Sequence, residues 1–340
     1  MAVHWYPGHM HKAQKEIKEA LPQVDLLIEV LDARIPYSSE NPAIAQMRGD
    51  KPCIKVMTKT DLADPEVTAR WQAHFEQERG VKTFATSTQD PANMKQLLAL
   101  VRNMLPEKNA SIKSIHTMIV GIPNVGKSTL INILADRIIA KTGNEAAVTK
   151  NQQRIALGNG ITLFDTPGIL WPKLENPNSG YRLAACGSIK DTAMEYDDVG
   201  FFTADYLIKA YPEYLKERFQ LSHIPDTEIA FLELAAARRG ALMAGGRVNL
   251  HKICEVLINE FRAAKIGRIS LETPDMIVGE EILMAEAIAK KAADKIKRKE
   301  QFKTGSLTPD KRDRKEQREQ DRREMSARMK ADNAKKKNQK

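Results

Sequence analysis

The stretch Gly121-Ile122-Pro123-Asn124-Val125-Gly126-Lys127-Ser128 constrains this chain more than any other, because it matches G-x-x-x-x-G-K-[ST], the P-loop. Its glycines let successive backbone N–H groups turn inward around an anion, at the positive end of the helix that follows. Lys127 reaches terminal phosphates as a point charge, and the Ser128 hydroxyl is a ligand for Mg²⁺. Asn124, Val125, Gly126, Lys127, Ser128 and Thr129 are therefore expected to cradle phosphates. The apolar run Ile115 to Val120 predicts a strand leading straight into the loop, which is the context the motif requires. Such a loop belongs to an α/β fold with a doubly wound, mostly parallel sheet, and the N-terminal half alternates accordingly. Strands are expected over 24–31, 53–57 and 81–85, helices over 13–21, 66–78 and 93–105, and a hairpin over 154–157 and 161–164, joined by Gly158-Asn159-Gly160.

Two further strings give the loop its chemistry. Asp165-Thr166-Pro167-Gly168 follows the apolar run Ile161 to Phe164. A carboxylate at such a strand end holds Mg²⁺ through water, and the Gly168 N–H is placed to bond a γ-phosphate. Thr58-Lys59-Thr60-Asp61 selects the base. The Asp61 carboxylate accepts two hydrogen bonds, from the ring N–H and the amino group of guanine, whereas adenine presents no such donor pair. The stem of Lys59 lies along the base plane, and Ser87 in Thr86-Ser87-Thr88 places a backbone N–H on the guanine carbonyl. GTP with Mg²⁺ is the expected ligand. A nucleic-acid-dependent ATPase would share the P-loop, but Asp61 argues against it.

In ordinary GTPases the P-loop comes first and the base motif comes near the end. Here Asp61 and Ser87 precede Gly121, and Asp165 comes last. A parallel sheet tolerates this order, because its site is assembled from loops at the carboxyl ends of the strands. Through residues 1 to about 275 the chain resembles the circularly permuted ribosome-biogenesis GTPases of the YlqF/RbgA type. The resemblance rests on Trp5-Tyr6-Pro7-Gly8-His9-Met10, Leu31-Asp32-Ala33-Arg34-Ile35-Pro36, the strings around Asp61, Lys127 and Asp165, and Gly267-Arg268-Ile269-Ser270-Leu271-Glu272. It implies action late in assembly of the bacterial large ribosomal subunit, Mg²⁺ dependence, stimulation by ribosomal particles, and an RNA-contacting helical domain. The expected organisation is a circularly permuted GTPase domain at 1–175, an all-helical RNA-binding domain at 176–275, and a helical extension with a basic tail at 276–340.

The position after Gly168 often carries a Gln that orients the attacking water, but here it is Ile169. The resemblance points instead to His9, whose imidazole titrates near neutral pH; a surface histidine in a flexible N-terminus is the competing reading. Thr149 is the candidate contact for Mg²⁺ and the γ-phosphate, although Ala146-Ala147 stands where the family usually has Pro-Gly. Asn124 resembles the residue that coordinates K⁺ in potassium-activated GTPases, or else it is a turn residue facing solvent.

Beyond residue 175 strand signals fade, and helices are expected over 201–219, 227–240, 250–264 and 281–299. Arg238, Arg239, Lys252, Arg262, Lys265 and Arg268 suit phosphate contacts to ribosomal RNA, and equally suit a solvated charged face. The formal charge of +9 is uneven: residues 290–340 hold 20 Lys and Arg against 9 Asp and Glu, a net of +11, which leaves the remainder at −2. From Gly305 large apolar residues are almost absent, so disorder is expected there. Such a tail attracts RNA phosphates without sequence preference, or simply solubilises. Three cysteines, odd in number and far apart, exclude a disulfide framework and fit a reducing cytoplasm. No stretch approaches the roughly 18 apolar residues of a membrane span. A cytoplasmic monomer is the expectation. A nucleotide-gated RNA-binding scaffold with negligible turnover would carry the same motifs and remains the alternative to a GTPase.

Overall fold

The computed structural model describes residues 9–107, 114–139, 153–157, 160–170, 176–303 and 320, with backbone alone at 9, 10 and 301–303. Thr149, the turn residues Gly158 and Asn159, and the tail beyond Lys303 apart from residue 320 lie outside that set. Residues 1–279 form one compact unit and residues 280–340 a second.

The first unit opens with α1 (His9–Ala20), which buries Ala13 and Ile17, and then β1 (Leu26–Asp32). Two short helices follow, α2 (Pro36–Ser39) and α3 (Pro42–Arg48), and then β2 (Cys53–Thr58). Next come α4 (Pro65–Phe75), β3 (Val81–Ala85), α5 (Pro91–Met104), β4 (Ile115–Val120) and α6 (Lys127–Leu134). The hairpin strands are β5 (Gln153–Ala156) and β6 (Ile161–Asp165). The six strands form one sheet in the order β3-β2-β1-β4-β6-β5, parallel except for β5, which runs antiparallel to β6 at the edge. Every residue of β1 and β2 is buried, as a parallel sheet covered on both faces requires.

Register brings the chemistry to one edge. Asp32 pairs with Thr58, and Ile119 with Asp165, so the carboxyl ends of β1, β2, β4 and β6 finish at neighbouring heights. From β1 the chain steps to β2 on one side, and from β4 it steps to β6 on the other. That reversal between β1 and β4 is where an open α/β sheet leaves a crevice for ligands.

The helical part holds α7 (Pro177–Ala185), α8 (Tyr196–Ala210), α9 (Pro212–Phe219), α10 (Glu228–Arg239) and α11 (Leu250–Arg262). The single helix expected over 201–219 is two, because Pro212 lacks an N–H and drives Tyr211 to φ −135°, ψ 48°. Helices α8 and α11 approach so closely that a Cβ at Gly200 would lie 2.5 Å from Cys254 Sγ. The three cysteines are free and buried. The helix expected over 281–299 belongs to a longer one, α12 (Pro274–Lys303), which continues into the second unit. No helix among the described residues is long and apolar enough to cross a membrane.

Candidate functional site

The P-loop turns where only glycine is comfortable. Gly121 has φ +146°, and a Cβ there would lie 2.5 Å from the Val30 carbonyl oxygen of β1. Gly126, at φ +92°, caps the N-terminus of α6, so that helix begins directly beneath the loop. Lys127 is buried, and its Nζ donates to the carbonyls of Gly121 (3.0 Å) and Ile122 (2.7 Å). Burial pushes its ammonium down to about 8, with the Asp165 charge acting the other way. Burial likewise raises the Asp165 carboxyl to about 6, against the opposing pull of Lys127. Each of these charges is uncomfortable alone and is partly relieved by the other.

The loop after β6 folds onto the P-loop. Thr166 Oγ1 donates to Ile119 O (2.7 Å), and Ile169 N donates to Gly121 O (3.3 Å). A Cβ on Gly168 would sit 2.9 Å from Lys127 Nζ and 3.0 Å from Pro123 N, so a side chain here would push the Lys127 ammonium aside and press on the P-loop backbone. Ile169 and Leu170 are buried. The position after Gly168 therefore contributes packing at this site.

On the other side of the P-loop stands the base motif. Lys59, at φ +58°, donates from Nζ to Asn124 O (2.6 Å) and Asp32 Oδ2 (2.9 Å). Thr58 Oγ1 lies 2.6 Å from Val125 O and 2.9 Å from Leu31 O, and its one proton serves one of them. Thr60 N donates to Thr86 O, and Gln89 donates to both Asp61 Oδ2 (3.2 Å) and, through its backbone, Ser87 Oγ (3.1 Å). Thr58, Lys59, Asp61 and Ser87 thus meet Asn124 to Thr129, Asp165 and Gly168 at one sheet edge. The Asn124 side chain donates from Nδ2 to Gly187 O (3.0 Å), two residues past the end of α7. His9 is the first residue of α1, and its side chain lies outside the described set, as does all of Thr149.

In the sequence Asp32 and Arg34 stand out only through the family resemblance, yet they brace the base motif. Arg34 makes a two-point ion pair with Asp32, Nε to Oδ1 at 2.9 Å and Nη2 to Oδ2 at 2.7 Å. Both side chains are almost fully buried. Burial alone would push the Asp32 carboxyl up, but the Arg34 and then the Lys59 charge hold it well below the usual carboxylate range. The visible signal was an acid and an arginine two apart at the end of an apolar run, Asp32-Ala33-Arg34.

A cavity of about 700 Å³ lies beside the phosphate cradle, lined by Lys59, Asn124 and Arg34 from the sheet side and by Gly187, Lys190 and Arg262 from the helical side. Several basic residues marked as phosphate contacts have internal partners. Arg239 reaches Glu260, Lys252 pairs with Glu255, and Arg262 donates to Ala184 O and Ala185 O. Arg268 donates to Thr60 O and Ala63 O.

The family described as 50S ribosome-binding GTPase matches residues 116–222. Ribosome biogenesis GTPase A of Bacillus pumilus is 43% identical over 282 residues, covering 81% of this chain and 100% of that protein. Among solved structures, GNP-bound YlqF from T. maritima is 27% identical with a TM-score of 0.54, covering 78% of this chain and 99% of that one. A GDP-bound YlqF structure is 26% identical with a TM-score of 0.55, covering 76% and 99%.

Proposed function

The chain belongs to the ribosome biogenesis GTPase A family, and from that premise we propose that it hydrolyses GTP on a precursor of the large ribosomal subunit during late maturation. The observation that carries the reading is Lys59, whose ammonium ties the base motif to the P-loop through Asn124 O. One strut thereby sets the distance between the base reader Asp61 and the phosphate cradle.

Each group has a part. Lys127, whose Nζ donates to its own loop carbonyls, presents its ammonium to phosphate oxygens, whose negative charge favours the protonated form. The hydroxyl of Ser128 and the carboxylate of Asp165 are hard oxygen donors of the kind Mg²⁺ takes alongside phosphates; they would hold the ion, which when bound would supply positive charge against that developing on the transferred group. Thr149 joins that set. His9 orients the attacking water, a role the buried aliphatic Ile169 cannot fill. Asn124 is the proposed K⁺ contact. Residues 1–175 act as the GTPase domain, 176–275 as the part that contacts ribosomal RNA, and 276–340 as an extension with a tail that adds non-specific attraction. The protein works as a cytoplasmic monomer.

Phosphate release from GTP, measured with and without purified ribosomal subunits, tests the reading. Stimulation by the large subunit or its precursor, with ATP inert, is the expected result. Negligible phosphate release both with and without ribosomal particles would reduce the protein to a nucleotide-gated scaffold. His9→Ala is expected to retain GTP affinity and lose most of the stimulated rate. Equal rates in KCl and NaCl would remove the K⁺ assignment.

A further inference from the structure

After α11 the chain does not continue away from the sheet but returns to it through residues 266–272. Gly267 makes the return passable: at φ +149° it lies against the Tyr214 ring, where a Cβ would be 2.5 Å from Cδ2. Beyond it the segment is strapped down at each step. Ile269 N donates to Leu62 O (3.0 Å), and Leu271 N donates to Arg34 O (2.8 Å). Ser270 O accepts from Tyr206 Oη (3.0 Å), while Tyr211 Oη donates to Asp64 Oδ2 (3.1 Å). The Glu272 carboxylate is fully buried, accepting from Ser38 N (2.9 Å) and lying 3.6 Å from Arg182 Nη1.

The strap lands on the turn that carries Asp61. Arg268 Nη2 donates to Thr60 O (2.7 Å) and Nε to Ala63 O (3.0 Å), so its guanidinium spans the turn from one side of Asp61 to the other. The turn's backbone is otherwise held by Leu62 N to Lys59 O (2.9 Å), Thr60 N to Thr86 O (3.3 Å) and the bond from Ile269 N to Leu62 O, none of which engages the carbonyls of Thr60 or Ala63. Bonds from a charged donor are the stronger class, and the planar fork fixes the separation of its two acceptors.

We propose that Arg268 is a positioning residue for base recognition: by holding the carbonyls of Thr60 and Ala63, it sets where the Asp61 carboxylate stands and hence how well the site selects guanine. This rests on the reading of Asp61 as the guanine contact. Selectivity in an N-terminal loop then depends on a residue 208 positions further along the chain from Thr60. Linkage makes the effect reciprocal, so a partner that lifts the strap weakens guanine binding, and guanine binding seats the strap.

The test compares GDP with inosine diphosphate, which keeps the ring N–H but lacks the amino group, by calorimetric titration of the full chain. Arg268→Ala is expected to weaken GDP by about tenfold, the size of one lost charge-assisted bond. It should weaken inosine diphosphate less, so the ratio between the two ligands shrinks. Arg268→Lys, which keeps the charge and one donor direction, should recover part of that ratio. An unchanged ratio overturns the proposal, whether both affinities hold or both fall together; a common fall marks a merely structural role. If Arg268→Ala does not fold, Arg268→Lys and Arg268→Gln decide by the same ratio. Asp61→Asn separates the two levels of inference, since an amide donates where the carboxylate accepts and should turn preference toward xanthosine diphosphate. Without that change the guanine reading itself fails; with it, and an unmoved Arg268 ratio, only the positioning role does.

Discussion

Asp32 has no solvent exposure, and four groups converge on it: the Arg34 guanidinium and backbone N–H, the Lys59 ammonium and the Ser39 hydroxyl, which accepts from the Asp32 N–H. Removing one member of a buried pair strands the other's charge. Asp32→Asn is therefore expected to lower unfolding stability by about 3–5 kcal/mol in urea titration, and to loosen Lys59 so that GTP binding weakens as well. Lys127 is the contrasting case. Its burial disfavours the ammonium, with Asp165 offsetting only part of that cost, so Lys127→Met should cost less stability than Asp32→Asn while abolishing detectable GTP binding. A stability loss in that variant as large as that of Asp32→Asn, seen by calorimetry, would show that Lys127 is a structural group.

At the scale of elements, boundaries follow capping chemistry that periodicity overlooks. Helices α4 and α5 start at Pro65 and Pro91, each after an Asp whose carboxylate accepts first-turn N–H groups. Apolar periodicity places their starts later, at residues 66 and 93, and does not mark α2, α3 or α7, which also open on proline. Strand β1 holds the element-scale prediction. Burial, with the Glu40 charge adding to it, raises the Glu29 carboxyl to about 8, although Lys55 and the Asn41 N–H pull it down. The unfolded chain ionises Glu29 from about pH 4.5 upward, whereas the folded chain keeps the proton until about pH 8. Unfolding thus releases a proton across that window, and stability falls as pH rises through it. Glu29→Gln, which preserves the neutral shape, should flatten the slope and raise stability at pH 8 by about 1–3 kcal/mol. Denaturant melts at pH 5 and pH 8 check it.

For the whole molecule, the relevant fact is that the helical part belongs to the same compact unit as the sheet. Asn124 to Gly187 O, Arg34 to Cys186 O and the strap at residues 266–272 tie the helices to the P-loop, the loop after β1 and the turn at residues 60–63. The basic tail is a separate matter of charge. Deleting residues 301–340 is expected to flatten the salt dependence of ribosome binding, while GTP hydrolysis by the free protein stays unchanged. A salt slope that the deletion leaves intact would place the phosphate contacts in the helical part instead.

The nucleotide, its base, the permuted order and the sheet architecture were legible in residues alone. Gly121 to Ser128, Asp165 to Gly168 and Lys59-Thr60-Asp61 are motifs of residue type at short spacing, and that survives as a string. The bracing of the site was not legible. Arg268 acts on backbone carbonyls, which every residue has, so nothing in its targets marks them as partners. Only the return of the chain from α11 to the sheet brings that guanidinium to Thr60 and Ala63. Asp32 and Arg34 lay between these cases: the string was visible, but its purpose required β1 and β2 to end side by side. Tertiary structure decided what holds the site in shape, because hydrogen bonds to main chain and burial of charge depend on proximity rather than on order along the chain.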